Sequence, residues 1–386
     1  MTDVSSRLDL GRLDADWTPA QTDVIRRVRA FVDSEVLPSV AEHHEAGTFP
    51  QSWLTGIARL DILRYFMEPD GDPVAYGLAM RELERGGSTL RSVVSVQGAL
   101  TMTAISRYGS EEQKSRWLGP LSRLESIGCF ALTEPGFGSN PSAMETSVHR
   151  HAGGWMLNGH KRWATNGTLA DVAVVWAKHD DAVMGFLVEL DAPGVTATPI
   201  TGKWSFRASE SAELRFNRVV LPDSAALPGA TTIGKALACL GEARYGIAWG
   251  VLGAARACLQ ETLEYLLNRV QFGDKPIASH QLVQEKFAWM ATELAGMELI
   301  ALRMGELKRR GELDPVYVSL AKMNNCRKAL NIARTCRELL GANGILTAFH
   351  VGRRMVDLET VVTYEGTEHI HALAIGRHLT GINAFS

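Results

Sequence analysis

A chain of 386 residues, 46% hydrophobic and 22% charged, has the composition of a folded globular protein and is long enough for two or three domains. Its net charge of −3, without a long run of Lys or Arg, excludes the clustered basic face that a nucleic-acid partner requires. No apolar run approaches the ~20 residues of a membrane-spanning helix, so no membrane insertion is expected. Residues 1–17 carry acids and lack an apolar stretch, which is typical of neither a secretory signal nor a transit peptide. We therefore expect a cytoplasmic protein.

Helical periodicity dominates the first third of the chain. Apolar positions recur at helical spacing over 20–45 and 74–85. From about residue 129, short β-branched segments are bounded by Gly, Asp, Pro and Asn, which predicts strands. Because helices do not alternate with these strands, they indicate a small antiparallel sheet or barrel and exclude a doubly wound nucleotide fold. The predicted strands are 171–178, 185–190, 194–200 and 212–221.

Long helical patterns return after about residue 233. The predicted helices span 240–270, 281–309, 315–340 and 352–379, punctuated by glycines at their ends. The order helical, β, helical predicts an α+β protein of three domains, with ligand sites favoured where the domains meet. The predicted domains are an N-terminal helical domain over 1–128, a middle β domain over 129–232 and a C-terminal helical domain over 233–386.

Cysteine and histidine patterns favour neither disulfides nor a metal. The five cysteines are scattered without a C-x-x-C pair, which predicts buried free thiols. His369 and His371 are two residues apart on a predicted helix and so lie on roughly opposite faces, whereas zinc-binding pairs are spaced by four. No metal site is predicted. The cysteines are Cys129, Cys239, Cys258, Cys326 and Cys336.

The segment TEPGFGSN (133–140) lies where the helical pattern gives way to strands. Gly136 and Gly138 free the backbone to approach a ligand closely, and Thr133 and Ser139 add hydroxyl groups. The loop suits a flat heteroaromatic ring or a phosphate, or it is simply a Gly-rich turn. It is not a Walker loop, because the Lys-Ser/Thr pair is missing.

The segment KRWATNG (161–167) offers a Trp followed by small and hydroxyl residues. Such a pattern is suited to stacking on a ring and to hydrogen bonding along its edge. The alternative is a strand end with a Trp in the core.

Two further segments flank the long C-terminal helices. In NRVQFGDKP (268–276), Arg269 either pairs with a pyrophosphate or is a solvated helix-end residue. The segment LLGANGI (339–345) follows a helix and not a strand, so it is not the dinucleotide fingerprint, although it presents backbone amides.

The segment VVTYEGTEHIHALAIGR (361–377) places Glu365 at a turn that enters an apolar helix. A carboxylate there is either a charge favoured by the helix dipole or, if burial raises its pKa, a general base. Both interpretations stay open on the residues alone.

In this order, the segments TEPGFGSN, W-x-T-N, RVQFG, LLGANG and YEGT resemble the acyl-CoA dehydrogenase family over essentially the whole chain. Further blocks, among them SVVSVQGAL, GCFALTEP and TYEGTEHIHALAIGR, are similar to the glutaryl-CoA dehydrogenases of that family. The resemblance implies a C-terminal four-helix bundle, FAD bound between the β domain and the C-terminal helices, and a homotetramer. It also implies an electron-transferring flavoprotein as the electron acceptor.

The resemblance also implies which residues hold FAD. Arg269 and Gln281 match residues that bind its ADP part, and the segment with Gly341, Asn343 and Gly344 would reach the FAD of a neighbouring subunit. Flavin-ring contacts match Phe130, Leu132, Thr133, Ser139, Trp163, Thr165 and Thr367.

For the substrate, the resemblance makes Glu365 the base that removes the α-proton of an acyl thioester. Arg91, in the context STLRS, matches the arginine that pairs with the distal carboxylate of glutaryl-CoA, unless it lies on the solvent side of its helix. Tyr364 and Thr165 match the decarboxylating enzymes. The full set of expected substrate residues is Glu84, Arg91, Ser92, Ser139, Arg244, Tyr364 and Gly366.

Three departures leave the substrate open. The stretch 61–73 is shorter than in the family, Ala164 replaces the usual Ile, and QFGDKP is one residue longer. The alternatives are another acyl-CoA, an acyl-carrier-protein thioester, an oxygen-using oxidase or a non-catalytic flavin-binding scaffold. The retained Glu365 and the lack of a basic tail disfavour the scaffold.

Overall fold

The computed structural model describes residues 7–67 and 71–384. Two sequence expectations therefore fall partly outside the described residues. The first is the lack of a targeting signal in residues 1–17, of which 1–6 lie outside the described residues. The second is the shortened stretch 61–73, of which 68–70 lie outside them. Over the described ranges, no helix combines the length and apolarity needed to cross a bilayer.

The N-terminal block is helical, as predicted. Its first helix begins with a capping box, in which Thr18 and Gln21 each accept a backbone hydrogen bond from the other. The helical pattern over 20–45 forms two helices in the structure, because a π-helical turn and Pro38, which lacks a backbone N–H, divide it. The helices are α1 (Pro19–Phe31), α2 (Val40–Ala46), α3 (Gln51–Leu60), α4 (Pro73–Gly86), α5 (Ser88–Val94), α6 (Thr103–Tyr108) and α7 (Glu111–Ser122).

The middle of the chain forms one seven-stranded sheet. Its strands run in the order β1-β4-β2-β3-β7-β6, with β5 paired to β4. The sheet is mixed and not purely antiparallel, because β1 pairs with β4 in parallel and β2 also touches β4 in parallel. The strands are β1 (Gly128–Ala131), β2 (Ser147–His151), β3 (Gly154–Thr165), β4 (Val172–His179), β5 (Ala182–Glu189), β6 (Val195–Pro199) and β7 (Ser211–Pro222).

The last four strands confirm the predicted segments to within a few residues, whereas β1, β2 and β3 had no individual prediction. Strand β4 is buried on both faces. Val172, Val174 and Trp176 join the helical core, while Ala173 and Val175 join a second core inside the sheet. The sheet is therefore packed directly against the helices.

The C-terminal block returns to long helices. The predicted bounds of 281–309 are confirmed, and the helical pattern over 352–379 is interrupted at 364–367, where the sequence placed a turn at Glu365. Glu365 and Gly366 have φ values of 52° and 98°, and a right-handed helix cannot continue through left-handed residues. The helices are α8 (Ile233–Asn268), α9 (Gln281–Arg309), α10 (Pro315–Leu339), α11 (His350–Thr363) and α12 (Glu368–Thr380).

Helices α4 and α8 pack closely at the centre of the molecule. At Gly253 an added Cβ would collide with the carbonyl oxygen of Arg81, so the missing side chain permits this approach. Helix α4 is buried almost all round, and α5 follows it directly, so polar residues of both helices are enclosed in the interior. The predicted burial of all five cysteines is confirmed.

Candidate active site

The break between α11 and α12 presents the carboxylate of Glu365. The residue as a whole is half-buried, but its Oε2 atom is fully buried and has no hydrogen-bond partner among the described residues. Burial raises the pKa of the Glu365 carboxyl, and the cations Arg91, Arg244 and Lys322 oppose this without cancelling it. A carboxylate with a raised pKa and an oxygen without a partner has the properties of a general base.

The backbone of this turn is held tightly. Arg244, from α8, donates from Nε to the carbonyl oxygen of Glu365 at 2.7 Å. At Gly366 an added Cβ would lie 2.9 Å from Nε2 of the buried His371 and 3.1 Å from Nη2 of Arg244, so only glycine fits. Thr367 caps α12 by accepting a hydrogen bond from the amide of Ile370 at 3.3 Å.

Arg91 contacts Tyr364, the residue before Glu365, and does not lie on the solvent side of its helix, so that alternative was wrong. Its side chain is fully buried, and Nε donates to Oε2 of Glu84 at 2.7 Å. Oε1 of Glu84 accepts from Ser88 at 2.7 Å. The Nη2 group donates to the hydroxyl of Tyr364, while Nη1 is buried without a partner among the described residues. Three of the expected substrate residues are therefore directly connected: Glu84, Arg91 and Tyr364. Ser92 is buried next to Arg91 in sequence. Two others, Arg244 and Gly366, lie at the turn of Glu365.

The charges of Arg91 and Tyr364 are well defined. Burial disfavours the charged guanidinium, but Glu84 and Tyr364 outweigh this effect, and the pKa of Arg91 is raised. Burial also raises the pKa of the Tyr364 hydroxyl, which therefore stays protonated. The site holds two carboxylates, Glu84 and Glu365, facing three cations, which are Arg91, Arg244 and Lys322. This excess of positive charge favours anionic groups and developing negative charge.

A second half of the site is formed by the end of β3 and the loop after β1. The amide of Arg162 donates to the carbonyl of Thr133 at 2.8 Å, which ties the two segments together. Trp163 has a φ of 63° and 52% of its side chain exposed, so the alternative of a core Trp was wrong. Asn166 donates to the carbonyl of Val93 in α5 at 3.4 Å, so this half lies against the helix of Arg91. Of the other expected flavin residues, Phe130 and Leu132 are buried, Thr133 and Thr165 are half-buried and Ser139 is exposed.

Sequence reasoning missed a buried ion pair beneath this loop. Lys161 is fully buried and donates to Oε1 of Glu134 at 2.9 Å and to the carbonyl of Leu132 at 3.0 Å. Burial lowers the pKa of Lys161 to about 8, with Glu134 opposing it. Glu134 also accepts from the amide of Thr146 at 2.9 Å. The pair fixes the start of the loop, and the inward position of Lys161 in an alternating strand was the signal for it.

Lys322 was also missed. It is 1% exposed and donates to the carbonyls on both sides of Glu365. The signal for it was its place on the apolar face of α10, which buried Val318, Cys326 and Ala329 also occupy.

The residues expected at the ADP part lie in a separate region. Arg244 and Arg269 are 25 residues apart on and just beyond the continuous helix α8, which at ~1.5 Å per residue separates them by about 37 Å. Tyr265 links the region, since its carbonyl accepts from the amide of Arg269 and its hydroxyl accepts from Asn343 at 2.8 Å. Arg269, Gln281, Gly341 and Asn343 are exposed or half-buried, and Gly344 is buried.

Comparison with known proteins adds a family and several relatives. Family models for acyl-CoA dehydrogenase match the chain in order: the N-terminal domain at 18–125, the middle domain at 129–219 and the C-terminal domain at 233–380. The chain is 32% identical over 368 residues to the human mitochondrial short-chain specific acyl-CoA dehydrogenase, covering 92% of this chain and 89% of that protein.

Two solved structures are similar along the whole fold. A glutaryl-CoA dehydrogenase from Mycobacterium smegmatis in complex with FADH2 has 46% identity and a TM-score of 0.95, with 100% of both chains covered. A butyryl-CoA dehydrogenase from Megasphaera elsdenii has 28% identity and a TM-score of 0.90, covering 94% of this chain and 98% of that one.

Proposed function

The chain belongs to the acyl-CoA dehydrogenase family, as its sequence motifs predicted, and we propose that it converts glutaryl-CoA to crotonyl-CoA and carbon dioxide. The protein is an FAD-dependent acyl-CoA dehydrogenase, and the choice of glutaryl-CoA as its substrate is our proposal. The observation that supports glutaryl-CoA as the substrate is the buried Arg91 near Glu365. Its Nη1 atom has no hydrogen-bond partner among the described residues.

The residues present fit FAD. Trp163 exposes half of its ring system beside Thr133 and Thr165, which offers a stacking surface edged by hydroxyl groups. At Gly136 and Gly138 an added Cβ would meet nothing within 4 Å, so the backbone of this loop is open to a ligand. When bound, FAD supplies the acceptor for the hydride that leaves the β-carbon of the substrate.

Glu365 would remove the α-proton. Its unpartnered Oε2 is free to receive the proton, and its raised pKa makes it a stronger base than an ordinary carboxylate. Removal of the proton places negative charge on the thioester oxygen. The backbone amide of Glu365 donates no hydrogen bond within the described residues, so it is available to stabilise that oxygen.

Arg91 would select the acyl group. Burying a carboxylate is costly unless a cation and hydrogen bonds meet it, and the free Nη1 of Arg91 offers both. Once carbon dioxide has left, the substrate carries a carbanion. The proton now held on Glu365 is then available to quench it, so one carboxyl group serves both steps.

A second candidate is a neutral short-chain acyl-CoA. Glu84 already pairs with Nε of Arg91 at 2.7 Å, so the charge of the guanidinium is matched before any substrate binds. The similarity to short-chain and butyryl-CoA dehydrogenases agrees with this alternative.

Anaerobic mixing of the holoenzyme with a panel of thioesters tests the proposal. We expect glutaryl-CoA to bleach the flavin absorbance faster than butyryl-CoA at equal concentration, with one carbon dioxide released per turnover. Faster bleaching by butyryl-CoA would select the second candidate. Bleaching by glutaryl-CoA without carbon dioxide would retain the substrate and remove the decarboxylation. Acyl-carrier-protein thioesters belong in the same panel.

An assembly of several copies fits the position of the ADP-binding candidates. Arg269 lies about 37 Å from Arg244 along one chain, far from the turn of Glu365, so we propose that Arg269 serves the FAD of a partner subunit. We propose a homotetramer in a cytoplasmic setting, with an electron-transferring flavoprotein as the acceptor. Hydrogen peroxide formed at each turnover would instead identify an oxidase.

A further inference from the structure

The ammonium group of Lys322 is buried and, among the described residues, donates its hydrogen bonds to backbone atoms. It lies on α10, and its three hydrogen bonds all go to carbonyl oxygens and none to a carboxylate. The acceptors are Gly366 at 2.8 Å, Tyr364 at 3.0 Å and Val362 at 3.4 Å. Two of them belong to the residues on either side of Glu365.

Together, Arg244 and Lys322 donate hydrogen bonds to the carbonyl oxygens of residues 364–366 in the turn. Arg244 takes the carbonyl of Glu365 itself at 2.7 Å. The carbonyls of residues 364–366 are therefore held by two cations from two different helices. Rotating any of these peptide groups would cost a buried, charge-assisted hydrogen bond. These bonds offset the cost of the left-handed conformation at Glu365, which a residue with a side chain adopts unfavourably.

Packing alone does not account for a lysine at this position. Lys322 occupies the apolar face of α10, where an aliphatic side chain would be buried without loss of hydration. Burial lowers the pKa of Lys322, with Cys326 and Glu365 opposing it, which reflects the cost of keeping the charge there. The position makes sense if the ammonium acts on the turn and on the carboxylate beside it.

We propose that Lys322 is a positioning residue for Glu365, which fixes the turn that aims the carboxylate at the substrate and supplies positive charge that keeps it ionised. The inference rests on the proposed function, because it assumes that Glu365 is the base. It assigns to Lys322 no contact with substrate or cofactor.

The effect of removing the charge depends on what else faces Glu365. Three cations lower the pKa of the carboxyl, and Arg91 and Arg244 remain when Lys322 is replaced. The pKa of Glu365 is therefore expected to rise further without Lys322. Two further carboxylates act on this region: Glu84, which pairs with Arg91, acts on Tyr364, and Glu368, which pairs with Arg327, acts on Lys322. The remaining titratable groups that face the turn, among the described residues, are neutral near pH 7: Tyr76 on α4, Cys326 on α10, Tyr364 in the turn and His371 on α12.

Three variants of the FAD-loaded enzyme test the proposal. Lys322→Met removes the charge and the donors, and it suits an apolar helix face. Lys322→Gln keeps an N–H donor but removes the charge. Lys328→Met is the matched control, because Lys328 is on the same helix but forms a surface ion pair with Glu293.

The first measurement is the rate of anaerobic flavin reduction by saturating substrate between pH 5 and 9. For Lys322→Met we expect a loss of at least about tenfold at neutral pH, a fraction of the ~100–10,000-fold that a positioned base contributes. The pH at which the rate rises, as the Glu365 carboxyl loses its proton, should move to a higher value. Lys322→Gln should recover part of the rate while keeping the shifted limb, and Lys328→Met should match the wild type.

The second measurement is independent of turnover. The carboxyl band of Glu365 can be identified in the infrared spectrum by its loss in Glu365→Gln and then titrated without substrate. In Lys322→Met this band should titrate at a higher pH than in the wild type. An unchanged band and an unchanged rate per bound flavin, even with lowered thermal stability, would reduce Lys322 to a structural residue. If no thioester reduces the wild-type flavin, the proposed function fails, and the infrared titration still decides the role of Lys322.

Discussion

Two buried carboxyl groups lie eight residues apart on the same segment, and only one of them has the properties of a base. Burial raises the pKa of both, to about 6 for Asp357. Asp357 accepts a hydrogen bond at 2.7 Å from the amide of Phe206, in the loop between β6 and β7. Oε2 of Glu365 has no partner among the described residues. A raised pKa alone therefore does not distinguish the two, whereas an oxygen without a hydrogen bond or an ion pair does. Glu298 also has a raised pKa, but its Oε1 lies 2.6 Å from Nε of Arg256.

The surroundings of the two groups also differ in kind. Asp357 lies in a small, largely apolar cavity with His44 and Arg353, where the three predicted domains meet. Glu365 lies in a left-handed turn whose carbonyls are held by Arg244 and Lys322. The first arrangement joins segments of the fold, and the second leaves a buried carboxylate oxygen without a hydrogen-bond partner among the described residues. This contrast predicts that replacing the carboxyl group by an amide greatly slows flavin reduction at Glu365 and hardly changes it at Asp357.

The largest expected effect is that of Glu365→Gln. Flavin reduction should fall by ~100-fold to 10,000-fold, because the amide cannot accept the α-proton. FAD content and fold should be retained, since the glutamine keeps the volume and the backbone bonds of the turn. Stopped-flow bleaching by glutaryl-CoA measures the rate. Asp357→Asn is the matched control and should stay within about threefold of the wild type; equal losses in the two variants would remove the distinction.

The next largest effect concerns substrate choice. Replacing Arg91 alone would leave Glu84 buried without its cation, so we pair the changes in Arg91→Gln/Glu84→Gln. The preference for glutaryl-CoA over butyryl-CoA should fall about tenfold to 100-fold, as expected for loss of a charged hydrogen bond.

Glu84→Gln is the complementary variant, because it frees Arg91 from its partner without removing the guanidinium. Its preference for glutaryl-CoA should rise above that of the wild type. Ratios of kcat/KM for the two thioesters provide the measurement. A double variant that loses activity equally on both substrates would contradict the role of Arg91 as a carboxylate clamp.

Motif order and periodicity predicted most of the fold. The strands from β4 onward and the long helices were predicted because each pattern is local and strong. The turn at Glu365 was predicted from its segment, although the helical pattern over 352–379 continues across it. The left-handed φ of Glu365 was not predicted, because it is stabilised by bonds from Arg244 and Lys322 on other helices. The parallel pairing of β1 with β4 was missed because it joins strands that are distant in sequence.

The site shows the same limit. Glu365 and Arg91 were identified by their motifs, and the structure brings them together. Lys322 lies in none of the singled-out segments, and the segment that begins with Lys161 was interpreted from its Trp alone. The partners of both lysines are backbone carbonyls or a carboxylate on another segment. Their function depends on tertiary contacts that a single sequence does not display. The domain boundaries remain a prediction.

The smallest expected effect is a pH dependence of stability at Asp357 and His44, whose Oδ1 and Nδ1 atoms are 4.0 Å apart. Burial raises the pKa of Asp357 from 3.8 to about 6, so its folded form holds an extra proton in that window. Burial lowers the pKa of His44 from 6.5 to about 4, so its folded form holds one proton fewer. The contribution of Asp357 is lost as the pH rises through 6, and that of His44 is lost as the pH falls below 6.5.

In the wild type these two slopes oppose each other between about pH 4 and 6, where the two titration windows overlap. Asp357→Asn leaves the His44 slope alone, so the free energy of unfolding should rise more steeply with pH than in the wild type. His44→Gln leaves the Asp357 slope alone and should give a flatter or falling profile. Urea unfolding of the holoenzyme at several pH values measures both, with retained flavin reduction in Asp357→Asn as the internal control. Parallel profiles for all three proteins would mean that folding shifts the pKa of neither group, and the contrast with Glu365 would then rest on the unpartnered oxygen alone.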